Sequence, residues 1–437
     1  MKQAVLIFLL LVICYQYGFA QSDSTETKEG WNIGLLPVIS YDSDLGLKYG
    51  GLTNIYDYGD GSYYPKYKHS IYLEISRTTK GSGINQLFYD SRNVFPNRNI
   101  RVTADVSYLT EKAMHFYGFN GYKSVYNPDW VDPDHEDYIS RMFYRYERKL
   151  FRSLLDFQGP LQGKWHWLLG GGHFNVNIGE VDIDNLNEDL KPENKLPDTF
   201  SLYTKYKENG WISTEESDGG IVNYLKAGLV YDSRDNEPNP MKGMYSELLF
   251  MTAPKLLGNA ENPYTKMVLT HRQYFTIVPE RLSFVYRLSY QGTISGKAPF
   301  YMEPYMIMSF SPNVSNEALG GAKTIRGILR QRILAEGYTF GNFEARWKMA
   351  KFRFINQNFY LALSGFFDTG RAVDYRKTGD SSSSSYLSGK DEKLHHSVGV
   401  GFHAAMNENF ILAADYGIAL DERDGKQGIY VGMNWLF

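Results

Sequence analysis

Apolar and polar residues alternate along this chain in one segment after another, to the last residue. In the final segment Ile429, Val431, Met433, Trp435 and Phe437 share one face, and Tyr430, Gly432, Asn434 and Leu436 share the other. The segment before it sets Phe410, Leu412, Ala414, Tyr416 and Ile418 against Asp415 and Gly417. Farther back, Phe343, Ala345, Trp347 and Met349 oppose Asn342, Glu344, Arg346 and Lys348, and Phe359, Leu361, Leu363 and Phe367 oppose Tyr360, Ser364 and Asp368. A period of two is the signature of a β-strand. A soluble sandwich buries its apolar face against a second sheet. Here the other face carries polar or charged groups, as a polar lumen behind a lipid-facing wall requires.

The pattern predicts sixteen strands, at about 33–40, 45–56, 67–78, 83–92, 99–109, 137–152, 163–178 and 221–232, then 242–253, 263–276, 281–295, 335–349, 358–370, 394–405, 409–419 and 427–437. An even number suits a bacterial single-chain barrel, and most segments reach the roughly 9–11 residues that cross an outer membrane. The connections give an independent check. Such barrels have short periplasmic turns and longer external loops. The longest links, about 110–136, 179–220, 296–334 and 371–393, all follow odd strands, whereas Pro279-Glu280 and Met406-Asn407-Glu408 follow even ones. The expected fold is therefore all-β, a 16-stranded antiparallel transmembrane β-barrel.

The ends add a compartment. Lys2, the apolar run Val5 to Ile13 and Gly18-Phe19-Ala20 read as a signal peptide over 1–20, cleaved before Gln21. Cys14 raises a lipoprotein alternative, but it follows Ile13 where lipoprotein signals want a small residue. Residues 21–30 form a short polar periplasmic segment, too short for a folded module. The barrel then occupies 31–437. With 35 Tyr, 26 Phe, 7 Trp and 41 Gly, the composition suits such a barrel, and a formal charge of −3 gives no reason to expect nucleic-acid binding. Cleavage after Ala20 leaves no cysteine, so thiol chemistry is excluded from the mature chain.

Between strands eleven and twelve lies Leu319-Gly320-Gly321-Ala322-Lys323-Thr324-Ile325-Arg326-Gly327-Ile328-Leu329, with one arginine set between an apolar residue and a glycine. Glu344 and Asp368 fall on the polar faces of the next two strands. The stretch Gly320 to Ile328 resembles the [V/I]-R-G-[F/Y] loop of the BamA/TamA family of outer-membrane assembly barrels, also described as bacterial surface antigens. Ile328 stands where that family has an aromatic. Gly341-Asn342-Phe343-Glu344-Ala345-Arg346, Gly365-Phe366-Phe367-Asp368-Thr369-Gly370 and Tyr231-Asp232-Ser233-Arg234-Asp235-Asn236 resemble further motifs of the family in the same order. The likeness is strongest over 221–437. It implies a loop folded into the lumen, with Ile325, Arg326 and Gly327 locked onto Glu344 and Asp368. A guanidinium offers five donors in a rigid fork suited to carboxylates and stays charged, which favours such a pairing. The resemblance also implies a C-terminal assembly signal, here Tyr430, Val431, Met433, Trp435 and Phe437. The family's periplasmic POTRA domains have no counterpart in the sequence read here, so a POTRA-less member is the expectation.

Catalytic chemistry finds little support. No His-Glu-x-x-His, nucleophile elbow or phosphate-cradling loop occurs, and the acidic stretch Asp129 to Asp137 lacks the spacing of a calcium loop. No enzyme activity, cofactor or metal is expected. The leading reading is an integral outer-membrane barrel acting in, or accessory to, protein insertion or export, in contact with outer-membrane lipid and with barrel-assembly or export machinery. Two alternatives stay open. One is a passive porin-like channel, and the other a surface antigen or adhesin presenting the long external loops.

Overall fold

In a computed structural model of the chain, the alternation becomes sixteen strands that close into one antiparallel barrel. The residues described are 28–42, 46–62, 64, 66–188, 191–259, 263–310, 318–354, 357–379, 384–406 and 410–437. The expected signal peptide, Cys14 and most of the short polar segment lie outside them. The first half comprises β1 (Trp31–Asp42), β2 (Gly46–Asp57), β3 (His69–Thr78), β4 (Gly83–Ser91), β5 (Arg101–His115), β6 (Arg145–Pro160), β7 (Trp165–Gly179) and β8 (Gly219–Asp232). The second comprises β9 (Gly243–Ala253), β10 (Tyr264–Val278), β11 (Leu282–Gly296), β12 (Gly337–Phe354), β13 (Gln357–Asp374), β14 (His395–Met406), β15 (Phe410–Ala419) and β16 (Gln427–Met433). Each strand pairs with its sequence neighbours, and β16 returns to β1.

Two faces follow from the period of two. Outward positions such as Leu225, Leu229, Phe284, Leu288, Val400 and Phe402 are exposed apolar side chains, the band a bilayer covers. Inward positions such as Asp105, Arg148, Arg152, Glu344 and Arg346 are buried charges. They persist because each finds a partner on the inner wall, here on the neighbouring strand: Arg152 Nε lies 2.9 Å from Asp105, and Arg148 Nε donates to Glu111 at 2.8 Å.

Several predicted boundaries need correction. Strand five runs on to His115 instead of stopping near 109, across a register shift between Glu111 and Met114. Strand six runs from Arg145 to Pro160, not from 137 to 152, and strand twelve continues to Phe354 instead of stopping at 349, past a register shift between Lys348 and Ala350. The rings of Phe143 and Tyr144 belong to an aromatic core at the loop end of the lumen, shared with inward wall residues such as Leu109, Tyr146 and Tyr224, and do not continue a strand. That core joins residues of the links 116–144, 180–218 and 297–336, among them Phe116, Phe119, Tyr203, Tyr206 and Phe300. Phe116 meets Tyr206 edge-on at 5.1 Å between ring centroids, one of the geometries aromatic pairs prefer. The helix Leu202–Glu208 supplies Tyr203 and Tyr206, and it starts where the Ser201 side chain accepts from the Thr204 N–H.

A further correction concerns the terminal strand. It ends at Met433, not Phe437, because Asn434 takes a left-handed φ of 68°. Asparagine tolerates that conformation better than most residues. The turn throws Trp435 and Phe437 off the lipid face that alternation assigned them, and both are buried on the lumen side. Trp435 stacks on His403 at 3.6 Å, and Phe437 packs with Tyr274 and Val285.

Candidate functional site: the lumen loop and the strand seam

Two elements of the barrel depart from an ordinary closed wall. The first is the link between β11 and β12. Residues 300–310 descend along the inner wall: Lys226 Nζ donates to the Met308 carbonyl at 2.7 Å, and Ser309 N–H donates to Glu247 at 3.1 Å. The Arg101 guanidinium sits 4.0 Å above the Phe310 ring, near the short-turn end.

The second limb of the link carries Arg326. Register places Asn342 of β12 opposite Asp368 of β13, so Glu344 stands two residues along the same inward face. Arg326 Nε and Nη2 grip the Asp368 carboxylate at 2.9 and 3.1 Å, and the Arg326 backbone N–H donates to it at 3.1 Å. Nη1 reaches Glu344 at 2.6 Å. The Phe366 ring lies 3.5 Å beneath the guanidinium, adding a cation–π contact in a dry setting. Arg326, Glu344 and Asp368 are all buried at 1% exposure or less. Ile325 and Ile328 are fully buried in a small apolar cluster with Leu319 and Tyr338, so an aliphatic residue fills the position after Gly327.

A third acid was not singled out from sequence. Asp415 of β15 accepts from Arg326 Nη1 at 3.3 Å. Alternation put it on the polar face, but no motif marked it. Gly327 has a φ of +89°, and a β-carbon there would stand 2.6 Å from the Gly417 carbonyl carbon. Gly417 faces the same squeeze, since its β-carbon would meet the Arg326 carbonyl carbon at 2.8 Å. Two glycines thus let loop backbone lie directly against strand backbone.

The proposed terminal-strand residues divide. Tyr430 points inward, and its hydroxyl accepts from the Gly327 N–H at 3.2 Å, so β16 touches the loop. Val431 and Met433 point outward, 40% and 42% exposed. Arg346 lies over the rings of Trp435 and Phe437 and donates to the Phe437 carbonyl oxygen at 3.1 Å.

Further arginines bind the long loops to one another, again unannounced by any motif. Arg330 donates to Glu111 at 2.9 Å, and Arg332 donates to the carbonyls of Gly121, Ser124 and Arg423. Arg376 bridges Glu303 and Glu216, loops that are far apart in sequence. Burial pushes the Glu303 carboxyl above the usual carboxylate range, with Arg376 opposing the rise, and its Oε2 is left without a partner.

The second element is the seam. β1 shares twelve residue pairs with β2 but only two with β16, Tyr41–Val431 and Asp42–Tyr430. Residues Trp31 to Ser40 have no partner on that edge among the described residues. Pro37 suits an edge strand because it has no N–H to satisfy.

The family model for the Omp85 superfamily domain matches residues 69–437. No curated protein matches the sequence. Among solved structures, BamA from Haemophilus ducreyi lacking POTRA domains 1-3 is similar at a TM-score of 0.55 and 14% identity, over 93% of this chain and 71% of that one. CdiB from Escherichia coli is similar at 0.53 and 10% identity, over 94% of this chain and 64% of that one. This chain therefore spans just under two thirds of that second structure. At such identities the likeness is one of fold.

Proposed function

The chain belongs to the Omp85 superfamily, and from that premise we propose that it is an outer-membrane barrel that inserts or exports proteins, or supports machinery that does. The seam carries this reading. Within a bilayer each unpaired backbone N–H or C=O costs several kcal/mol, so a spanning sheet normally leaves no edge. Continuing the register of Tyr41–Val431 would set Ile39 against Met433, Pro37 against Trp435 and Leu35 against Phe437. β16 stops at Met433, and the inward turn at Asn434 takes Trp435 and Phe437 out of that register, which leaves β1 open. An open edge at membrane depth has two remedies. The bilayer thins locally, or another strand adds to the edge, as in β-strand addition. A protein that offers its edge to the nascent strand of a client uses both.

The Arg326 lock serves this mechanism by holding the loop against β12, β13 and β15, the wall next to the seam. Its contact through Tyr430 makes loop position and terminal-strand position interdependent. Interaction with periplasmic or export partners belongs to the same proposal. The test is a deletion strain examined by quantitative outer-membrane proteomics. Selective loss of barrel or surface proteins supports the proposal, and unchanged levels of every such protein overturn it.

A passive channel fits less well. The described part of the β11–β12 link runs along the lumen, and two cavities beside it, one lined by Tyr305 and one by Met306, Ile307 and Met308, are small. Planar-bilayer recording decides: the proposal expects brief, infrequent openings, and a large steady conductance would favour the channel. The adhesin reading expects ligand binding that disappears when loops 110–136 and 179–220 are trimmed while the barrel persists.

A further inference from the structure

Most buried arginines of the lumen have a carboxylate: Arg148 has Glu111, Arg152 has Asp105, Arg326 has Asp368 and Glu344. One rung of the wall, a half-buried Arg272 beside a buried Arg287, breaks that pattern. Arg272 of β10 and Arg287 of β11 are direct cross-strand partners on the inward face. Two like charges placed opposite each other in an antiparallel pair repel. Neither forms an ion pair with any acid among the described residues.

Their donors are also underused. Arg287 Nε donates to Asn342 at 2.8 Å and Nη2 to the Lys323 carbonyl at 3.1 Å, both neutral acceptors. Arg272 lies over the Tyr245 ring at 4.9 Å, and its buried Nε has no hydrogen-bond partner. The nearby acid Glu247 is engaged through Oε2 by Tyr245 and Ser309; its buried Oε1 has no hydrogen-bond partner, and it makes no ion pair with Arg272. Asp368, the other acid on this side, is gripped by Arg326.

Above this rung lies a small cavity lined by both arginines, Thr270, Ser289, Gln291 and Phe340. Thr270 and Ser289 share one hydroxyl hydrogen bond, 3.0 Å long, so one hydroxyl proton remains to be donated elsewhere. Two cations, a free guanidinium N–H and a hydroxyl donor thus converge on a space that suits a water or a single small ion. A neutral water would leave the repulsion of the two arginines in place, whereas an anion cancels it.

We propose that this cavity is a binding site for a monoatomic inorganic anion of chloride size, seated between Arg272 and Arg287. It acts as the missing carboxylate of the rung and stiffens the wall where the lumen loop meets β10 and β11. A tetrahedral oxyanion such as phosphate is too large for it.

The test uses the full barrel, purified in a zwitterionic detergent at constant ionic strength, with chloride exchanged for gluconate. Thermal unfolding is followed by heat-modifiable gel mobility. The wild type should show a saturable upward shift of its midpoint as chloride replaces gluconate. Arg272→Gln should show a flat response, and phosphate should not reproduce the shift. Equal midpoints in chloride and gluconate overturn the proposal, and an equal or larger effect of phosphate overturns the size assignment. Should Arg272→Gln fail to fold, wild-type crystals grown in bromide decide. An anomalous peak between the two guanidinium groups supports the site, and its absence there overturns it.

Discussion

At the residue scale the account rests on Arg326. Its guanidinium is buried with two acids that it satisfies through three side-chain hydrogen bonds. Removing one partner of a buried ion pair leaves an uncompensated charge and costs about 3–5 kcal/mol. Arg326→Glu is worse, because it sets a fourth carboxyl group beside Glu344, Asp368 and Asp415. We expect it to lower the heat-modifiable, folded fraction well below that of Lys323→Glu, and equal fractions for the two would contradict the lock. Gly327→Ala should act without touching any charge. It imposes about 1–2 kcal/mol of left-handed strain and pushes a methyl group into Gly417. Its expected phenotype is a loop displaced from β15, read as faster proteolysis within 318–334. Glu344 and Asp368 were legible in the sequence because parity alone put them on the polar face and the motifs named them. Asp415 had the parity without the motif. Arg330 was not legible at all, since its partner Glu111 is 219 residues away and only the closed barrel brings the two together.

At the scale of elements, alternation read the strands well and their ends poorly. Period two reports which face a residue takes while the strand lasts, and it cannot report where the backbone turns. Asn434 sits inside an unbroken alternation, so the inward bend that carries Trp435 and Phe437 into the lumen left no trace in the pattern. The long loops misled in a related way. Tyr138 to Tyr144 look like the start of a strand, yet the rings of Phe143 and Tyr144 fill an aromatic core that joins the long links to the inner wall. Arg376 fastens that core through Glu216 and Glu303. Arg376→Met should therefore free the link 180–218 and raise its cleavage by an added protease several-fold, while the strands keep their heat-modifiable fold. Glu303→Gln should be milder than Arg376→Met. The amide keeps an acceptor for Arg376 and removes a charge that burial already opposes. Comparable sensitivity of the two variants would show that the charge, not the shape, fastens the loop.

At the scale of the whole molecule, the barrel is closed by fifteen extensive strand pairings and one slight one. The Arg326 limb of the lumen loop lies on the wall that leads to that slight pairing and touches β16 through Tyr430. If the seam is where clients enter or leave, covalently closing it must stop function without unfolding the protein. Tyr41 and Val431 face each other across the seam and both point outward, and cross-strand neighbours fall within the Cα separation a disulfide accepts. The decisive measurement is therefore outer-membrane proteomics in a strain whose only copy carries Tyr41→Cys and Val431→Cys, with and without a reductant. The account predicts that the oxidised strain loses the same outer-membrane proteins as the deletion strain and that reduction restores them. A fully oxidised seam with an unaltered outer-membrane proteome, in a strain where the deletion itself changes it, would contradict the account.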